Sequence, residues 1–144
     1  MKILGVDPGK RTGWAFLYCE KGEHLKLGIF GVTEDLTLLE IQPQVAEADL
    51  VVYEDYKVRP KMARKGDFDW DPMWGPRAIG SLLTLCALLQ KETVIQQPVE
   101  RIPGFGFAGM KYVPGKKGRH WQDALAHAAK YGVSKLGALP VAGS

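Results

Sequence analysis

The stretch Lys2-Ile3-Leu4-Gly5-Val6-Asp7-Pro8-Gly9, followed closely by Gly13-Trp14-Ala15-Phe16-Leu17-Tyr18-Cys19, decides the architecture. Residues 2–7 form a short β-rich run that stops at an acid and a Pro-Gly turn pair, and residues 13–19 are aromatic and aliphatic. A third such run, HLKLGIFGVT at 24–33, follows the polar Glu20-Lys21-Gly22-Glu23, so three hairpin-connected strands are expected to open the chain. Residues 36–47 read as a helix interrupted by Pro43, and ADLVVYE at 48–54 reads as a fourth strand that again ends in a carboxylate. Pro76 fits the first turn of a helix running to about Gln90, and Glu92 to Gln97 reads as a fifth strand. A Gly- and Pro-rich connection over 98–118 then leads to a helix from about Arg119 to Tyr131, closed by Gly132. This order predicts a single α/β domain over 1–144, a five-stranded mixed sheet flanked by helices. If the first and fourth strands are neighbours, Asp7 and Glu54 converge at their C-terminal ends, where open α/β sheets place ligand sites.

Hydrophobic residues make up 46% and charged residues 24% of the 144, which excludes a disordered tail, a collagen-like fibre and a simple coiled coil. No apolar run reaches the roughly 18 residues that a membrane span needs, and the N-terminus lacks a signal peptide's apolar region, so a cytoplasmic protein is expected. Cys19 and Cys86 lie in apolar stretches and read as reduced core thiols. The net charge of +3 is segregated: residues 56–66 and 110–119 carry nine positive charges and no acid, which leaves −6 on the other 123 residues. Two basic loops on an acidic body point to a polyanion. The candidate DNA contacts are Tyr56, Lys57, Arg59, Lys61, Arg64 and Lys65 in the first segment, and Lys111, Lys116, Lys117 and Arg119 in the second. Phe68, Trp70 and Trp74 interleave with charge near the first segment and could stack on bases or pack the loop, and the same two readings hold for Phe105, Phe107 and Met110. Asp67, Asp69 and Asp71 do not make a calcium loop, because Pro72 stands at the Gly position and Ala78 at the closing Glu position.

Three motifs carry a family resemblance. Gly5-Val6-Asp7-Pro8-Gly9, with Gly13 opening the next strand, resembles the first motif of RuvC-type Holliday junction resolvases. Val51-Val52-Tyr53-Glu54 resembles the second, and His120-Trp121-Gln122-Asp123-Ala124-Leu125-Ala126 resembles the C-terminal helix motif. The resemblance implies an RNase H-like fold, a homodimer, and Mg²⁺- or Mn²⁺-dependent nicking of paired strands at four-way DNA junctions that leaves 5′-phosphate ends. It also implies two metal ions per active site, with Asp7, Glu54, His120 and Asp123 as catalytic metal ligands. Such chemistry suits a phosphodiester, since two hard cations about 4 Å apart can activate a water on one side and stabilise the leaving oxygen on the other. His120 and Asp123 are three apart on a helix and so share a face. His127, one turn beyond Asp123, reads as packing or surface.

Residues 78–89 (AIGSLLTLCALL) are apolar nearly all round, which predicts a second subunit near Leu82, Leu85 or Leu89. Two other activities share parts of the pattern. Another RNase H-like nuclease, acting on flaps, branched DNA or RNA–DNA hybrids, would carry the same metal site. An actin-like ATPase also uses a strand, an acid and a Gly-rich turn, but needs two such domains.

Overall fold

The computed structural model describes residues 1–56 and 73–143. Strands β1 (Lys2–Asp7), β2 (Thr12–Tyr18) and β3 (Lys26–Thr33) form the expected antiparallel meander. Helix α1 (Gln42–Glu47) leads into β4 (Leu50–Glu54), which lies parallel to β1. Helix α2 (Trp74–Leu88) then crosses to β5 (Glu92–Gln96), parallel to β4, and the sheet order is β3-β2-β1-β4-β5. Two helices complete the domain, α3 (Arg101–Phe107) and α4 (His120–Ser134).

Strand alternation assigns the two faces. Leu4, Val6, Phe16, Val51 and Tyr53 point to one side, where Leu38, Ile41 and Val45 pack with Leu82, Leu85 and Cys86 of α2. Ile3, Ala15, Leu17, Leu50 and Val52 point to the other, against Leu125, Ala128 and Ala129 of α4. By the same alternation, Asp7 continues the series Ile3, Gly5 and Glu54 continues Leu50, Val52, so both acids face α4. Cys19 and Cys86 are buried free thiols, as expected.

Helix α4 lies unusually close to the sheet because two strand residues have no side chain. A Cβ at Gly5 would stand 2.0 Å from the carbonyl oxygen of Ala124, and one at Gly13 would stand 2.0 Å from the carbonyl carbon of His120. The first turns of α4 are thereby laid directly on the ends of β1 and β2.

The structure corrects three expectations. Residues 101–107 are helical within a segment read as an open connection, and there Phe105 is buried while Phe107 and Met110 pack against the α4-side core. Gly132 does not close α4. It lies inside the helix, where a larger residue would press on Cys19 and Leu25. Leu82 and Leu85 face the domain's own core and Leu89 packs against it, so the outward apolar residues of α2 are Leu83 and Leu88, 39% and 77% exposed. No described helix is long and apolar enough to cross a membrane.

Candidate active site

The register that pairs Val6 with Tyr53 sets Asp7 beside Glu54 on adjacent parallel strands. Their carboxyl groups are near enough for each to shift the ionisation of the other. Burial, then the neighbouring charge of Glu54, pushes the Asp7 carboxyl well above the usual carboxylate range. Burial also pushes Glu54 upward, but the hydrogen bond from His127 and the proximity of Asp7 outweigh it and hold Glu54 below its ordinary value. Asp7 is therefore the member that keeps the proton.

Helix α4 supplies the third acid. Asp123 is 16% exposed, and burial raises its pKa against the opposing pull of Arg101 and Arg119. Its Oδ1 lies 3.7 Å from Nε of Arg101 and 3.3 Å from Nε of Arg119, yet none of these three buried atoms makes a hydrogen bond among the described residues. His120, one turn earlier, lines a cleft of about 350 Å³ with Asp7, Pro8, Gly9, Lys10 and Arg11. Of the four residues expected to hold metal, Asp7 and Glu54 thus lie side by side, His120 shares a cleft with Asp7, and Asp123 faces Glu54 across Arg101.

Two further residues enter the site. His127 is fully buried, with Nδ1 2.7 Å from Oε1 of Gln96 and Nε2 donating to Oε1 of Glu54 at 3.0 Å. Of the two placements the sequence left open, packing and surface, it takes the first, and it packs against the Glu54 carboxylate. The available signal was its spacing: residues 120, 123 and 127 fall on one helical stripe. Arg101, the first residue of α3, donates through Nη1 to Oε1 of Glu54 and to the Pro98 carbonyl, both at 2.9 Å. The available signal lies just upstream, where Pro98 opens a short 3-10 turn that Gln97 and Glu100 cap reciprocally.

The donor set suits a hard divalent cation, being three carboxylates of which one carries a buried oxygen with no hydrogen bond. As placed, no three His, Cys, Asp or Glu side chains among the described residues converge into a ready-made ligand cluster. Arg101 stands where Glu54 and Asp123 would otherwise share a cation.

The candidate DNA contacts are placed unequally. Lys57, Arg59, Lys61, Arg64 and Lys65, together with Phe68 and Trp70, lie outside the described residues. Tyr56 is half-buried, with its ring close above Gly75 of α2. Lys111, Lys116 and Lys117 are exposed on the segment before α4. Arg119 is placed otherwise, only 7% exposed, with its guanidinium over Tyr112 and Phe105 and bonded to the Val113 carbonyl. Trp74 begins α2, with Arg77 over its ring.

A five-stranded mixed sheet of this order, flanked by helices, is an RNase H-like fold. The solved structures agree on the fold. Thermus thermophilus RuvC in complex with a Holliday junction substrate matches at TM-score 0.61 and 19% identity, over 91% of this chain and 92% of that one. A second structure of Thermus thermophilus RuvC matches at the same score and identity, over 91% and 93%. No protein-family model matches the chain, and no curated protein does.

Proposed function

We propose that this protein is a divalent-metal-dependent, structure-specific DNA endonuclease that resolves four-way junctions by paired symmetric nicks, working as a homodimer and leaving 5′-phosphate ends. The observation that carries this reading is the placement of Asp7 and Glu54 at the ends of adjacent parallel strands, with Asp123 of the covering helix linked to Glu54 through Arg101. The shared fold with Thermus thermophilus RuvC, a protein solved on a Holliday junction, supports it.

Asp7, Glu54 and Asp123 would hold the metal ions, with His120, which lines the cleft beside Asp7, as a further ligand. When bound, divalent cations supply a Lewis acid for the phosphate and a water of lowered pKa. Asp7 would serve as a ligand in its ionised form, so metal binding there would be favoured by rising pH. His127 holds the Glu54 carboxylate in place from behind, as outer partners of metal ligands commonly do. Tyr56, Lys111, Lys116 and Lys117 are proposed to meet the DNA arms, with Lys57, Arg59, Lys61, Arg64 and Lys65 following directly in chain after Tyr56.

The deciding experiment compares cleavage of a synthetic four-way junction with duplex, flap and RNA–DNA hybrid substrates, in Mg²⁺ and in Mn²⁺. Preferential, symmetric nicking of the junction is expected. Preference for a flap or a hybrid would assign the site to another kind of RNase H-like nuclease.

A further inference from the structure

Arg101 is the cation that the site already owns. Its Nη1 donates to Glu54 and to the Pro98 carbonyl, while its Nε faces Oδ1 of Asp123 at 3.7 Å, and neither of those last two atoms makes a hydrogen bond among the described residues. The guanidinium thus joins an acid of β4 to an acid of α4, and its charge is permanent because arginine does not deprotonate in proteins. Arg119 approaches Asp123 from another side but is fixed by two aromatic rings and the Val113 carbonyl, and its side chain is 7% exposed. Arg101, at 23%, is the more accessible of the two.

A divalent cation on Glu54 and Asp123 would have to enter against this like charge. The guanidinium fork is better matched to a phosphate, which it can bind through two parallel hydrogen bonds. We propose that Arg101 is handed from Glu54 and Asp123 to a phosphate of the DNA backbone, so that these carboxylates become available to divalent metal as the nucleic acid arrives. This rests on the metal-dependent nuclease reading and adds to it a coupling between the two ligands. Because binding linkage is reciprocal, whatever factor DNA adds to metal affinity, metal adds to DNA affinity.

The test reads Mn²⁺ affinity of the free protein by calorimetric titration, with no DNA present. Arg101→Met removes the charge, and Arg101→Gln removes it while keeping an amide that can donate to Glu54 and Pro98. Far-UV circular dichroism establishes that each variant is folded. Both are expected to bind Mn²⁺ about 10-fold more tightly than the unaltered protein, equivalent to roughly 1.4 kcal/mol. Adding Asp123→Asn should abolish the gain. Both variants should bind a four-way junction more weakly in EDTA, having lost a phosphate contact. Unchanged or weaker Mn²⁺ binding in the folded variants, with Asp123→Asn still weakening it in the otherwise unaltered protein, would overturn the role of Arg101 and leave the metal site standing. Absence of any Asp123-dependent Mn²⁺ binding in all of these proteins would overturn both.

Discussion

Asp7 sits in an environment that favours its neutral form, because burial and the charge of Glu54 both oppose ionisation. It therefore binds its proton more tightly in the folded than in the unfolded chain. The stability this contributes is complete below the ordinary carboxylate pKa and is lost as pH rises through the raised folded value. Above the ordinary carboxylate pKa the folded protein carries the cost of keeping Asp7 protonated or of burying its charge, and Asp7→Asn removes that cost. The variant should melt higher at pH 7, by about 4 °C for each kcal/mol relieved, with the advantage shrinking toward pH 4. It should also be inactive, as should Glu54→Gln and Asp123→Asn, while junction binding persists in all three. A thermal melt across pH beside a cleavage assay checks both halves. His120 allows a separate prediction: imidazole is a poorer ligand for Mg²⁺ than carboxylate and a better one for Mn²⁺. Activity should be higher in Mn²⁺, and His120→Asp should keep activity with its preference moved toward Mg²⁺. Loss of activity in both metals with DNA binding intact would make His120 a proton carrier instead. Asp7 and Glu54 were legible because each ends a β-rich run, and Asp123 because its helix motif stands out. Arg101 was not, since its position depends on where α3 begins.

That beginning is hidden by composition. The sequence Arg101-Ile102-Pro103-Gly104-Phe105-Gly106-Phe107 contains three residues of poor helix propensity, and a propensity reading leaves it as a loop. Packing decides otherwise. Pro103 is taken up near the N-terminus of α3, and Gly104 lets α3 rest on the α4 backbone, since a Cβ there would lie 1.9 Å from the carbonyl oxygen of Ala126. The strands were easier, because alternation and the hairpin spacing are local signals, whereas a helix seated through a glycine on another helix's backbone is a tertiary one. Gly5 tests this at the site itself. Gly5→Ala must move α4 away from β1, which should cost about 1–3 kcal/mol or more and draw Asp123 away from Glu54, reducing cleavage as well as the melting temperature. Gly80, exposed on α2 with nothing near its missing Cβ, is the contrast: Gly80→Ala should stabilise by about 0.5–1 kcal/mol and leave chemistry untouched. Equal destabilisation by the two substitutions would show that the close seating of α4 is not what Gly5 provides.

One copy of the chain holds one set of acids, so a symmetric pair of nicks needs two copies arranged about a two-fold axis like that of the junction. Leu83 and Leu88 project from α2, and beside them Leu39 is 60% exposed across a groove lined also by Thr37, Gly80 and Thr84. The sequence's all-round apolar helix correctly announced more hydrophobic surface than one core can cover, but it could not say which leucines were surplus, because that depends on the rotation of α2 over the sheet. The chain is expected to sediment as a dimer at micromolar concentration, and Leu83→Glu with Leu88→Lys should yield a folded monomer. Division of labour between the copies gives a sharper measurement. Mixing the unaltered protein with an excess of Asp7→Asn should place one working site in most of the active dimers. Those dimers should cut a single strand of the junction, so nicked four-way species accumulate in place of linear products. If the ratio of nicked to resolved product instead stays constant as Asp7→Asn increases, each copy acts alone, and the paired-nick assignment fails even if the carboxylate site is correct.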